Sequence, residues 1–161
     1  MRKKNVAVAL ILAPLAIAAM VGAAATAAPV ACGPVQIGGV TVRTWCGPAK
    51  ATVKLAGKTR AIKGGACELV NFHGIKAFTV NTGRYTVPPA KPKFTSFSAA
   101  GSDTKPGTYT GWLINFQTPG KQWIFKLQGQ KVTITKAGGK AGTFSGTLYE
   151  GGKLAKGSWT C

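Results

Sequence analysis

Side-chain catalysis needs acids, bases and nucleophiles in company, and this chain keeps them apart. It has one histidine, His73, and three acids, Glu68, Asp103 and Glu150, scattered singly through 161 residues. A general base works within hydrogen-bond reach of the proton it takes, and neither an acid nor a nucleophile accompanies His73 in sequence. Ser145 before Gly146 and Ser158 after Gly157 lack the Gly-x-Ser-x-Gly turn that exposes a catalytic serine. Gly57-Lys58-Thr59 matches only the end of a phosphate loop. That loop needs a glycine where Thr52 stands, and a helix where the pattern reads as strand. The four cysteines, Cys32, Cys46, Cys67 and Cys161, are too widely spaced for zinc ligands, which come in close pairs. No catalytic, cofactor-binding or metal site is expected.

What remains is charge. Twenty-one Lys and Arg against three acids give a formal charge of +18. Lys50, Lys54 and Lys58, with Arg60 on the returning strand, are expected to share the outward face of one hairpin. Lys126, Lys131, Lys136 and Lys140 would decorate a second, and Lys91 and Lys93 flank Pro92. Strand lysines also block edge pairing and keep β proteins soluble. Solubility alone explains the lysines but not the scarcity of acids, so a polyanion-binding face is the sharper reading. Its partners would be anionic cell-envelope polymers, acidic glycans, lipid head groups or extracellular DNA. Nucleic acid is the weaker target, because Trp45, Trp112, Trp123 and Trp159 mostly occupy core parity and leave no exposed platform for stacking bases.

The elements that must carry these side chains are strands. Around 110–117, Trp112, Ile114 and Phe116 alternate with Leu113, Asn115 and Gln117; around 122–128, Trp123, Phe125 and Leu127 alternate with Ile124 and Lys126. Stretches 131–135, 143–149 and 154–161 continue the period of two, which with β-branched and aromatic residues marks half-buried strands. Gly129, Gly138-Gly139 and Gly151-Gly152 punctuate them, and residues 150–153 read as a two-residue hairpin. An antiparallel meander is therefore expected from about Gly107 to the end. Upstream, strands are expected over 35–45, 51–55, 59–62, 67–72 and 76–80, with a turn at Ala56-Gly57. Pro88, Pro89 and Pro92 make 85–94 a loop or sheet edge. About ten short strands suit an all-β, antiparallel two-layer sandwich stapled by disulfides.

The N-terminus reads as an address. Arg2, Lys3 and Lys4 precede an apolar run from Val6 to about Gly22, and Ala23 to Ala28 offer the small residues that signal peptidase needs. Residues 1–28 are thus expected to be a cleaved signal peptide, and 29–161 a single domain. Cleavage removes three bases and no acid, so +15 of the +18 stays on the exported domain. Membrane attachment would follow only from a retained segment or an acylated Cys32, and Pro29 stands where a lipid-attachment motif wants a large aliphatic residue.

Four cysteines behind an export signal read as two disulfides, with three pairings open. The favoured set is Cys32 with Cys46 and Cys67 with Cys161, because a bridge at the last residue would pin a strand that could otherwise fray. On the chain-entropy account the long bridge is worth roughly 4 to 5 kcal/mol and the short one about 3.

The Gly57-Lys58 turn, the strand through Lys63-Gly64-Gly65-Ala66-Cys67, the strand Phe78-Thr79-Val80-Asn81-Thr82-Gly83 and the closing Gly157-Ser158-Trp159-Thr160-Cys161 together resemble the secreted lipoprotein antigens of mycobacteria and related actinobacteria. The resemblance covers roughly 50–83 and the last twenty residues. It implies a bridge between Cys67 and Cys161 and a secreted or envelope β domain, and it carries over no catalytic residue. The chain departs from that family in its poor lipid-attachment motif and in the extra pair Cys32 and Cys46. The expected function is therefore a secreted, non-catalytic, monomeric β-sandwich of the bacterial envelope or exterior. Its polyanion-binding face would comprise Lys50, Lys54, Lys58, Arg60, Lys126 and Lys131. The alternative is a protein-binding module, an antigen or inhibitor, using the proline-rich segment bounded by Tyr85 and Phe97.

Overall fold

The computed structural model describes residues 32–72 and 74–161; the expected signal segment 1–28 and His73 lie outside the described residues. The described chain forms thirteen strands. In order they are β1 (Gly33–Ile37), β2 (Val40–Thr44), β3 (Lys50–Leu55), β4 (Lys58–Lys63), β5 (Gly65–Phe72), β6 (Ile75–Thr86) and β7 (Ser96–Gly101). There follow β8 (Gly107–Tyr109), β9 (Leu113–Thr118), β10 (Lys121–Ile124), β11 (Lys131–Lys136), β12 (Ala141–Thr147) and β13 (Leu154–Thr160). They make two antiparallel sheets. The seven-stranded sheet runs β1-β2-β6-β7-β9-β10, with β5 also paired to β6. The six-stranded sheet runs β4-β3-β13-β12-β11-β8.

The two sheets meet over one core. Val80, Phe97, Ile114 and Phe116 from the seven-stranded sheet pack with Val53, Val132, Phe144 and Trp159 from the other. Phe97 stacks on Phe144 at 4.9 Å and Trp112 on Trp159 at 5.6 Å. Such rings need flat neighbours. A Cβ on Gly142 would lie 2.3 Å from the Trp159 ring, and one on Gly157 would lie 2.0 Å from the Thr52 carbonyl. Each wholly buried aromatic or aliphatic side chain contributes on the order of 1.5–3 kcal/mol.

The sandwich and both disulfides agree with the sequence reading: Cys32 bridges Cys46 and Cys67 bridges Cys161. The second bridge ties β5 in one sheet to the end of β13 in the other. The sulfur of Cys32 is committed to Cys46, so it carries no lipid thioether in this form.

Other expectations change. The chain after Gly107 is not one meander: β8 lies in the six-stranded sheet, β9 and β10 form a hairpin in the seven-stranded sheet, and only β11 to β13 run as a meander. Ladder bonds run out where the chain crosses from β8 to β9 and at the end of β6, and a buried glutamine replaces them at each place. Gln130 Oε1 accepts from the Trp112 N–H (2.9 Å) while its Nε2 donates to the Trp112 carbonyl (2.9 Å). Gln117 does the same for Thr86, at 2.8 and 3.0 Å. Gln117, expected to face solvent, is thus buried, because its amide completes the end of β6. Leu127, expected inside, is exposed, since β10 ends at Ile124 and the chain then turns to the other sheet. The ladder of β12 and β13 ends at Thr147 opposite Leu154, and a 3₁₀ turn at Glu150–Gly152 replaces the two-residue hairpin. Ser96–Gly101 is a further strand, hidden in sequence by its small residues.

Candidate functional site

The basic residues sort themselves by register. Residues directly opposite one another in an antiparallel pair point to the same face. Across the six-stranded sheet, Lys54 opposes Lys156, Lys156 opposes Ser145 and Ser145 opposes Lys131. Two residues along, Thr52, Ser158, Thr143 and Thr133 form a second row, which Thr108 extends onto β8. A third row holds Lys63, Lys50, Thr160 and Ala141, and a bulge between Ile134 and Lys136 brings Lys136 opposite Ala141 at its end. With strands about 4.8 Å apart and about 3.4 Å per residue, the two lysine-bearing rows stand roughly 14 Å apart. Between them runs a ladder of hydroxyls.

The sequence builds this face by alternation. Val53, Ala155, Phe144 and Val132 point into the core, so their neighbours Lys54, Lys156, Ser145 and Lys131 point out. The hydroxyls are tied to one another, Thr52 to Ser158 at 2.8 Å and Thr108 to Thr133 at 3.1 Å. Thr52, Lys54, Lys131, Ser145, Lys156 and Ser158 line a shallow open concavity of about 540 Å³. None of the three acids lines it. Glu68 lies on β5 of the other sheet, Asp103 in the connection after β7, and Glu150 accepts the Ile124 N–H at 3.2 Å. Lys54 facing Lys156 and Lys50 facing Lys63 are like charges directly opposite, an arrangement that costs stability.

Of the six basic residues expected on the face, three are on it: Lys50, Lys54 and Lys131. Lys58 and Arg60 are not. The turn at Ala56-Gly57, with φ of 49° and 78°, is a two-residue hairpin that sets Leu55 opposite Lys58 and Val53 opposite Arg60. Both bases therefore have core-facing parity, at an edge strand where that side opens to solvent. Lys126 is partly buried where the chain crosses between sheets, its N–H donating to the Thr147 carbonyl at 2.8 Å. Lys140 sits in the turn before β12. Sequence reasoning missed Lys156 and Ser158, although Ala155 and Trp159 beside them set their outward parity. It also missed Lys63, which only the pairing to Lys50 places.

The proline-rich segment is narrower than expected. Tyr85 and Thr86 end β6, while Ser96 and Phe97 begin β7 and are buried, Phe97 completely. Between them the loop is fastened: Lys93 Nζ donates to the Gly38 carbonyl at 2.9 Å and the Gly120 N–H to the Pro92 carbonyl at 2.7 Å. Trp112, Trp123 and Trp159 are buried as expected, but Trp45 is partly exposed, with Tyr85 at 6.0 Å.

No family model matches the chain, and no curated protein or solved structure matches it. Two disulfides suit an oxidising compartment. Among the described residues no helix is long and apolar enough to cross a membrane.

Proposed function

We propose that this is a secreted, non-catalytic protein of the bacterial envelope or exterior that holds linear anionic polymers on the outer face of its six-stranded sheet. One observation carries the reading: six lysines, in two rows flanking a Ser/Thr ladder, share a face that no acid lines. Lysine ammonium groups act as mobile point charges on phosphate, sulfate or carboxylate, and hydroxyls can donate to the same oxygens. A surface built for solubility intersperses both signs. Here like charges are stacked on adjacent strands at a cost that a bound polyanion would reverse. Wall polymers and acidic glycans fit the same chemistry, and the resemblance to secreted actinobacterial antigens points to the same compartment.

The test is salt-dependent retention on immobilised heparin. Replacing Lys54, Lys131 and Lys156 with Gln should move elution to clearly lower salt, whereas replacing Lys58, Arg60 and Lys126 should move it less, because those bases lie off the rows. Equal shifts for the two triples would mean that net charge alone governs retention and would sink the proposal. The protein-binding alternative now rests on loop residues 87–95. A partner captured at high salt and lost on replacing that loop would favour it.

A further inference from the structure

The outer face of the other sheet carries a different surface. Arg43 and Trp45 lie between two adjoining concavities of about 480 and 400 Å³, and line both. Arg43 opposes Tyr85 across β2 and β6. The Trp45 N–H donates to the Gly83 carbonyl at 3.2 Å, and the two rings stand 6.0 Å apart with a 50° tilt. Gly83 makes this possible. Its φ of 79° lets β6 leave β5 and pair with β2, and a Cβ there would lie 2.4 Å from the Thr95 carbonyl and 2.7 Å from Ile62. The Cys32–Cys46 bridge closes the hairpin that carries Arg43, with Cys46 next to Trp45.

Uncharged polar groups complete the surface. Ser98 Oγ donates to Asn81 Oδ1 at 2.7 Å, linking the two concavities, while Asn115 Oδ1 is buried with no hydrogen-bond partner. Among the lining residues Arg43 is the one base and Glu68 the one acid, so the groove is close to neutral on a strongly basic protein.

We propose that this groove binds a neutral or N-acetylated β-linked glycan. A pyranose offers an apolar C–H face bounded by hydroxyls. A partly exposed Trp–Tyr pair supplies flat apolar area with polar tips, and amide, hydroxyl and guanidinium groups satisfy neighbouring hydroxyls. Concave sites orient small ligands with a few placed polar groups beside apolar area, and the concavity that holds Trp45 and Tyr85 together is the more apolar of the two. A polyanion is disfavoured by the Arg43 and Glu68 balance. A proline-rich peptide, which also docks on aromatic-lined grooves, would leave Asn81, Ser98 and Asn115 with little to bond.

Trp45 supplies its own readout, because the other three tryptophans are buried. The secreted chain is titrated with the β-1,4-linked tetramers of N-acetylglucosamine and of glucose at about 0.5 M sodium chloride, where surface charge is screened. Saturable protection of Trp45 from acrylamide quenching is expected with at least one of them. Calorimetry should show Trp45→Ala and Tyr85→Ala each weakening that binding roughly tenfold or more, Trp45→Phe recovering part of it, and the Lys54, Lys131 and Lys156 triple leaving it unchanged. Unchanged circular dichroism and thermal midpoint of the aromatic variants would show that they are folded. The proposal is overturned if neither tetramer saturates, if both alanine variants bind as the parent does, or if only a polyproline peptide saturates the groove.

Discussion

The two outer faces are built by the same alternation of strands and carry opposite chemistries. The six-stranded sheet turns outward three rows of lysine and hydroxyl side chains across four to five strands, the third row reaching Lys136 only past a bulge between Ile134 and Lys136. The seven-stranded sheet turns outward Arg43, Trp45, Tyr85 and a few amides, around a groove where one acid offsets one base. The lysine face is shallow and repetitive, which suits a linear polymer bound by charge and weakened by salt. The aromatic groove is local and shaped, which suits a ligand bound by contact. The +15 carried by residues 29–161 thus averages two surfaces of different kinds.

Both faces rest on one frame of two bridged sheets, and the largest expected effect comes from loosening it. Replacing Cys67 and Cys161 by Ser removes the bridge between the sheets and should cost roughly 4 kcal/mol. Thermal unfolding would register this as a large fall in midpoint, with both faces weakened together. Loss confined to one face would mean that the sheets hold their shapes independently.

Next come the glutamine clamps, which separate the faces. Gln117→Ala strips Thr86 of both backbone partners and should cost about 1–3 kcal/mol, weakening the tetramer binding at Tyr85 more than heparin retention. Gln130→Ala strips Trp112 with a similar loss of stability by chemical denaturation. It should instead spare the Trp45 signal, since it acts where the chain crosses toward β11. Identical ligand-binding profiles for the two variants would blur the distinction.

The smallest effect in stability is the most discriminating. Lys156→Glu converts a like-charge cross-strand pair with Lys54 into an opposite-charge one and should stabilise by roughly 0.2–1 kcal/mol. The same change should lower the salt needed to elute from heparin. Stability rising while retention falls is the mark of a face arranged for a ligand at its own expense. A variant that gains neither stability nor early elution would show that Lys54 and Lys156 do not act as a pair.

Much of the frame was legible from residue types. Alternation at Trp112, Ile114 and Phe116, and at Val132 and Ile134, marked core strands, because a period of two buries one face only. The even cysteine count marked an oxidised protein. Lys50, Lys54 and Lys131 were readable as outward residues for the same reason. The error at Lys58 and Arg60 came from treating a hairpin as one face without following its register. With Ala56-Gly57 as a two-residue turn, Arg60 must oppose the core residue Val53, and a shift of one position reverses every side chain. That consequence was available from the turn itself.

Strand neighbours were not. Nothing local to β13 says that it lies between β3 and β12, yet that placement sets Lys156 beside Lys54 and completes the hydroxyl ladder. Nor could a period of two reveal that Gln117 and Gln130 serve as substitute strand partners, since their hydrogen bonds reach across 31 and 18 residues. Trp45 read as core by pattern, and only the partner change of β6 at Gly83 leaves it at the surface with Tyr85. By itself, then, the sequence determined the strand periods, the outward parity of Lys50, Lys54 and Lys131, and the disulfide chemistry, all of which depend on near neighbours. The tertiary structure decided which strands lie side by side, and so which charges and rings meet, because those contacts join residues far apart in the chain.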